Sequence, residues 1–309
     1  MAYSFCADDT VETNIQRILN DQLDKAIEQL SDNLSDNPEK AIHAARKNLK
    51  KGRSLLRLVR KSLDKKTYNR ENACWRDVGR SLAPLRDGAV YPDTLKGLLE
   101  TYGLTIENNG FADLQASLVD RYHLKLADLG DRDQLVTSVI GDLKDSKARL
   151  NHIELKSSGW QALSKSLHKI YRQGQDRFDR AYADGDDEAF HEWRKRVKDL
   201  WYDSCLLRLL WPPVIDAFES EAHYLSELLG DDHDIAALRQ FLLNSPKDVA
   251  VKPVHMQVLL PLMKHRQDRL HRQARNLGQK LYGEKPKAFI HRLASYWQAS
   301  FDDAIVTRP

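Results

Sequence analysis

At 309 residues the chain has room for one large domain or two ordinary ones. Hydrophobic residues make up 41% and charged residues 30%, which fits a globular chain and gives no compositional sign of disorder. The net charge is only +3, so the chain is not uniformly basic, and any anion site must come from segregating charge. Cys6, Cys74 and Cys205 form no motif and are odd in number, as expected in a reducing compartment. The N-terminal MAYSFCADDTVETN has no basic region followed by an apolar core. No apolar run approaches the roughly 18 residues of a membrane span. A cytoplasmic protein is expected.

Helical periodicity governs the chain from its start. Ile15, Ile18, Leu19, Leu23, Ile27 and Leu30 recur at helical spacing over residues 10–30. Asn37 suits an N-cap and Pro38 the first helical position, which predicts a helix from there to about Leu63. Another is expected over Tyr68–Leu85, then the weakly extended YGLTIENNG at 102–110, then helices over about 110–128 and 131–153. The scheme restarts after Gly159 with a helix that breaks at Asp184-Gly185-Asp186. The helix carrying FHEWRKRVKDLWY follows and is expected to stop at Pro212-Pro213. The next runs from about Val214 to Leu229, with Gly230 as its stop, and long helices fill the remainder. The fold class is all-α.

An internal repeat organises these elements. IHAARKNLKKGRS at 42–54 and FHEWRKRVKDLWY at 190–202 both read H-x-x-R-K-x-x-K. Some forty residues after each come LAPLRDGAV and LGDDHDIAAL, which pair Leu82 with Leu229, Arg86 with His233, and Asp87 with Asp234. Duplication of a helical unit explains this order, with halves at about 1–155 and 156–309.

On a helix, His43, Arg46, Lys47, Lys50, Ser54, Arg57 and Lys61 share an arc of roughly 100°, with Ala45, Leu49, Leu56 and Val59 on the other side. His191, Arg194, Lys195, Lys198 and Tyr202 form the corresponding arc of the second copy. A charged outer face is the ordinary fate of an amphipathic helix. An ordinary face mixes signs, however, whereas these like charges repel by a few tenths of a kcal/mol per pair. Self-repulsion written twice in the same order implies an external anion that offsets it. Further basic residues stand on HKIYRQGQDR (His168, Arg172, Arg177) and on KHRQDRLHRQAR (His265, Arg269, Arg272). Trp193, Trp201 and Trp211 fall on apolar or flanking positions and are expected in the core.

The paired H-x-x-R-K-x-x-K motifs, the RD and LGxxHD that follow them and the YRQGQ before the second copy resemble the CHAD family, the conserved histidine α-helical domain. The resemblance spans nearly the whole chain. It implies two pseudo-symmetric, four-helix-like bundles in a single domain (1–309) around a central basic cleft that binds inorganic polyphosphate without catalysis. The family's first repeat tends to read R-D-x-D-V, where this chain has Arg86-Asp87-Gly88-Ala89-Val90 and so lacks the second carboxylate. The β-tunnel triphosphatase domain often fused to CHAD domains, with its E-x-E-x-K signature, is absent from the sequence.

The candidate polyphosphate ligands are His43, Arg46, Lys47, Lys50, Arg53 and Arg57 on the first motif helix, with Arg86 after it. Arg172 precedes the second motif, which supplies His191, Arg194, Lys195, Lys198 and Tyr202. His233, Arg269 and Arg272 complete the set. Polyphosphate carries about one charge per phosphate and no base, so it calls for many donors along a groove: bidentate Arg, point-charge Lys, and His that strengthens on protonation near pH 6.5. Asp87 and Asp234 would repel it, and are read as orienting a neighbouring Arg or His or as capping a helix. No cofactor, metal or catalytic residue is expected, and polyphosphate granules are the location such a ligand suggests. Two alternatives stand beside this. DDHD at 231–234 could contribute to a metal-dependent phosphohydrolase site, although Arg86 replaces His233 in the first repeat. A nucleic-acid-binding helical protein would use the same cations, although the sequence shows no helix-turn-helix.

Overall fold

The computed structural model describes residues 3–84, 88–104, 110–127, 132–244 and 249–306. Their regular structure is eleven α-helices and one short 3-10 helix, and no strand occurs among the described residues. Helix α1 (Val11–Ser31) starts where the Thr10 hydroxyl accepts the Thr13 N–H at 3.1 Å, and it buries Ile15, Ile18, Leu19, Leu23 and Leu30. Helix α2 (Pro38–Leu58) opens as its sequence dictates, with the Asn37 side chain accepting the Lys40 N–H at 3.0 Å. It ends before the expected Leu63. The Lys61 N–H donates to Ser166 Oγ at 3.1 Å and Ser62 Oγ donates to the Ala162 carbonyl at 3.0 Å, and these bonds draw the segment into turns.

Helix α3 (Lys65–Ser81) begins earlier than expected because the Asp64 carboxylate caps the N–H groups of Lys66 and Thr67. Helix α4 (Val90–Thr101) occupies a stretch in which the sequence pattern shows no helix. Helices α5 (Ala112–Ala127) and α6 (Arg132–Leu150) follow their patterns closely. Of YGLTIENNG, residues 105–109 lie outside the described residues, and Tyr102 and Gly103 form a turn.

Helix α7 (Gly159–Asp184) closes on Gly185 in the left-handed region, φ +72°. Helix α8 (Asp187–Leu206) is capped by Asp186, whose carboxylate accepts the Ala189 N–H at 2.7 Å. It gives way to a 3-10 turn at Arg208–Leu210 before the prolines are reached. Helix α9 starts on Pro212 itself and runs 33 residues to Asn244, straight through Gly230. Leu225 and Leu229 before that glycine, and Leu238 and Leu242 after it, are all buried, on different sides of the helix. That burial outweighs the roughly 1 kcal/mol a mid-helix glycine costs. Helices α10 (Pro253–Leu281) and α11 (Pro286–Val306) complete the chain.

Helix α1 packs on α2 and α6, and α7 packs on α8 and α11. The motif helices α2 and α8 pack on each other, while α4 reaches across to α9 and α10. The α2–α8 crossing is pinned from its buried side. The Arg57 guanidinium donates to Asp199, Arg196 lies 2.9 Å from the same carboxylate, and Ser54 Oγ donates to Asp203 at 3.4 Å. Close approach needs glycine at several places, and a Cβ on Gly174 would stand 2.3 Å from the buried Tyr282 ring. A Cβ on Gly52 would stand 1.6 Å from the fully buried Trp75 ring, and one on Gly278 would stand 2.8 Å from Phe178 and Trp193. Among the described residues no helix is long and apolar enough to cross a membrane.

Candidate functional site

Two cavities open on either side of the α2–α8 crossing, of about 600 Å³ and about 400 Å³. Arg46, Lys50, Arg194, Lys198 and Tyr202 line both. The four cations hold the same positions in the two motifs, each pair 148 residues apart. The remaining motif residues divide between the cavities with the same symmetry. His43 and Lys47 line the larger, and their counterparts His191 and Lys195 line the smaller. The smaller cavity is closed by Arg53 and Arg57 of α2 and by Arg76 and Arg80 of α3; the larger is closed by α9 and by Arg266 and Gln273 of α10. The two single-sign strips therefore face one another across a shared seam.

The seam is electrostatically uncomfortable without a ligand. Burial, then the neighbouring Arg194 and Lys50, push the Lys198 amine down to about 7, against which Asp234 acts only in part. Burial also lowers the Arg194 pKa, and its Nε is a buried donor with no hydrogen-bond partner among the described residues. Arg53 is brought down to about 10 by burial and then by Arg57, although its Nε donates to Asn72 at 3.1 Å. Buried, under-satisfied cations of this kind are stabilised by an anion and cost free energy without one. Tyr202 is buried between the cavities, and that burial raises its phenol to about 12, which keeps it a neutral donor.

The CHAD-domain family model matches residues 17–243. The chain belongs to the CHAD family. Comparison with curated proteins finds no match. PptA from Streptomyces chartreusis has a similar structure, with a TM-score of 0.59 at 15% identity, over 89% of this chain and 100% of that one. At such identity the likeness bears on the fold alone, and it agrees with an all-helical CHAD domain.

Within this CHAD domain eleven of the sixteen expected ligands line the cavities: six from α2 and five from α8. Four of the other five do not, and the fifth is not among the described residues. Arg86, with Asp87, lies outside the described residues. His233 sits behind His191, ring on ring at 4.3 Å, and not in either wall. Arg172 is exposed on α7 beside Lys169. Arg269 and Arg272 are also exposed, because the rotation of α10 sets Arg266 and Gln273, seven residues apart, at the cavity instead. Arg57 lines the smaller cavity while paired with Asp199, so its charge is already partly matched.

The histidines also depart from expectation. Burial, then Lys195 and Arg194, lower His191 below its ordinary range, and burial with His191 takes His233 to about 4. Any tightening that depends on charging them must then begin below pH 6.5. In DDHD, Asp232 is buried and accepts from Gln267 at 2.9 Å, with His271 Nε2 at 2.8 Å. Asp234 lies in mid-helix, which rules out a cap, and faces Arg194 and Lys198 as the orienting reading requires. Among the described residues no three His, Cys, Asp or Glu side chains converge as a metal site. Sequence reasoning missed the α9 wall and misplaced Trp201, which lines the larger cavity together with His223 and Tyr224.

Proposed function

We propose that this CHAD domain binds inorganic polyphosphate in the cleft between α2 and α8 and does not act on it chemically. The observation that carries this reading is that matching cations of both motifs, Arg46 with Arg194 and Lys50 with Lys198, border both cavities. A linear polyanion crossing the seam touches every one of them, whereas a single phosphate reaches only a few. The halves, about 1–155 and 156–309, then work as one domain, since neither motif alone encloses the ligand. Three free cysteines suit a cytoplasmic setting, and polyphosphate granules are where such a binder would gather.

Calorimetry with polyphosphates of increasing length tests the proposal. Affinity is expected to climb with length until both cavities are filled, and to stand far above that for orthophosphate or ATP. Equal affinity for ATP and a long chain refutes it, as does preference for duplex DNA at equal salt. Orthophosphate release with Mg²⁺ or Mn²⁺ that vanishes on changing His233 or Asp234 would replace binding by hydrolysis.

A further inference from the structure

The two mouths of the cleft are built from equivalent positions but differ in chemistry. The register that pairs His43 with His191 sets Arg53 against Trp201, and the register that pairs Leu82 with Leu229 sets Arg76 against His223 and Arg80 against Glu227. Each of these residues lines its own cavity. One mouth therefore carries three guanidiniums where the other carries an indole, an imidazole and a carboxylate. A bare polyphosphate has the same charge at every unit, so arginine would serve it equally at both ends. The exchange removes charge and supplies flat rings.

Those rings are already ordered. Tyr202, Trp201 and His223 form a column with centroid spacings of 4.7 Å and 4.1 Å, each step tilted by 28°. Trp201 Nε1 donates to Glu219 at 3.0 Å, which fixes the indole. Tyr224, also lining the cavity, is 49% exposed and has no hydrogen-bond or ring partner among the described residues. Aromatic faces beside a cationic groove are what base-stacking sites use, and about 600 Å³ is ample for a nucleotide-sized ligand. Glu227, 3.6 Å from His223, repels phosphate but can accept from the amino group of a base.

We propose that the α8–α9 mouth takes the base of a nucleoside polyphosphate, stacked on Tyr224 beside the Trp201–His223 column, with its phosphates reaching Arg194, Lys198 and Lys50. The proposal rests on reading the cleft as a polyphosphate site and names a second ligand class for it. Amino-bearing bases are favoured over uracil, which has no amino group to offer Glu227.

ATP and tripolyphosphate, compared by calorimetry at equal salt, give the test. Tripolyphosphate is the more highly charged, so charge alone favours it. Stacking predicts the reverse, with ATP about 5- to 150-fold tighter, yet still weaker than a long polyphosphate. Tyr224→Ala is expected to erase the ATP advantage and leave tripolyphosphate affinity unchanged, which also reports that the variant is folded. Tyr224→Phe should keep the advantage, and UTP should gain less than ATP. An ATP affinity at or below that of tripolyphosphate overturns the proposal, and so does an advantage that survives Tyr224→Ala. An oligoadenylate without terminal polyphosphate that matches ATP also overturns it, in favour of nucleic acid. If long-chain polyphosphate binds while ATP shows no advantage, only this proposal falls; if neither binds, the polyphosphate reading falls with it.

Discussion

Replacing Lys198 by Met probes the electrostatics of the seam directly. In the unliganded fold burial and three cationic neighbours hold this amine at about 7 instead of 10.5. At pH 8 it is then only about one-tenth protonated, and a polyanion that restores its ordinary pKa draws in about 0.9 proton on binding. Affinity should fall by nearly tenfold per pH unit between roughly pH 7.5 and 9. His191 and His233 do not confuse this window, because their depressed pKa values leave them neutral well below it. Stability has its own sign. The unfolded chain holds more protons than the folded one between about 7 and 10.5, so unliganded stability rises with pH across that range and is lowest below it. Lys198→Met should therefore stabilise the free protein most at or below pH 7, by up to a few kcal/mol, at roughly 2–4 °C of melting temperature per kcal/mol. Calorimetry at pH 8 in two non-phosphate buffers of different ionisation enthalpy measures the proton uptake. The reasoning is refuted if wild type takes up no proton at pH 8, or if Lys198→Met leaves the melting temperature below pH 7 unchanged.

Changing Arg46, Lys50, Arg194 and Lys198 together to Ala should abolish polyphosphate binding in calorimetry with unchanged helical content by circular dichroism and no lower melting temperature, since cation repulsion is lost with little packing. Wild-type binding should weaken with salt at a log–log slope of about −0.7 per phosphate contacted, by analogy with single-stranded nucleic acid. Arg57→Ala should cost about 3–5 kcal/mol in denaturant unfolding, because it takes one of two partners from the buried Asp199. Gly52→Ala should cost at least about 1–3 kcal/mol in the same assay, since the added methyl meets the Trp75 ring with no room for either to yield.

The parts of the site legible in the sequence are those written in charge and period. The His, Arg and two Lys of each motif stand at spacings of three, four and seven residues, so their common face follows from helix geometry alone. What stayed hidden depends on partners remote in sequence. Gly230 carries a local stop signal, but the leucines on both sides of it are buried by neighbouring helices, chiefly α8 and α10, and no local rule weighs that. The rotation of α10, which selects Arg266 over Arg269 and Arg272, is set by what Met263, Leu270 and Ala274 bury, and charge spacing does not reveal it. Trp201 looks apolar and therefore interior. Its place at a cavity becomes visible only when His223, twenty-two residues on, stacks against it. The repeat did hold one unused signal, that Arg53, Arg76 and Arg80 have no Arg or Lys counterparts in the second copy.

The location of the shared cations has a consequence for how such a protein can diverge. Arg46 and Lys50 belong to one copy of the motif, Arg194 and Lys198 to the other, and the cleft exists only where the copies meet. A single copy would have to pair with itself about a two-fold axis to enclose the same space, and such a pair must present two identical mouths. Joining the copies in one polypeptide lifts that constraint, because a substitution then enters one mouth without entering the other. The exchange of three arginines for tryptophan, histidine and glutamate is a change that a symmetric pair could make only by giving up charge at both ends of its channel.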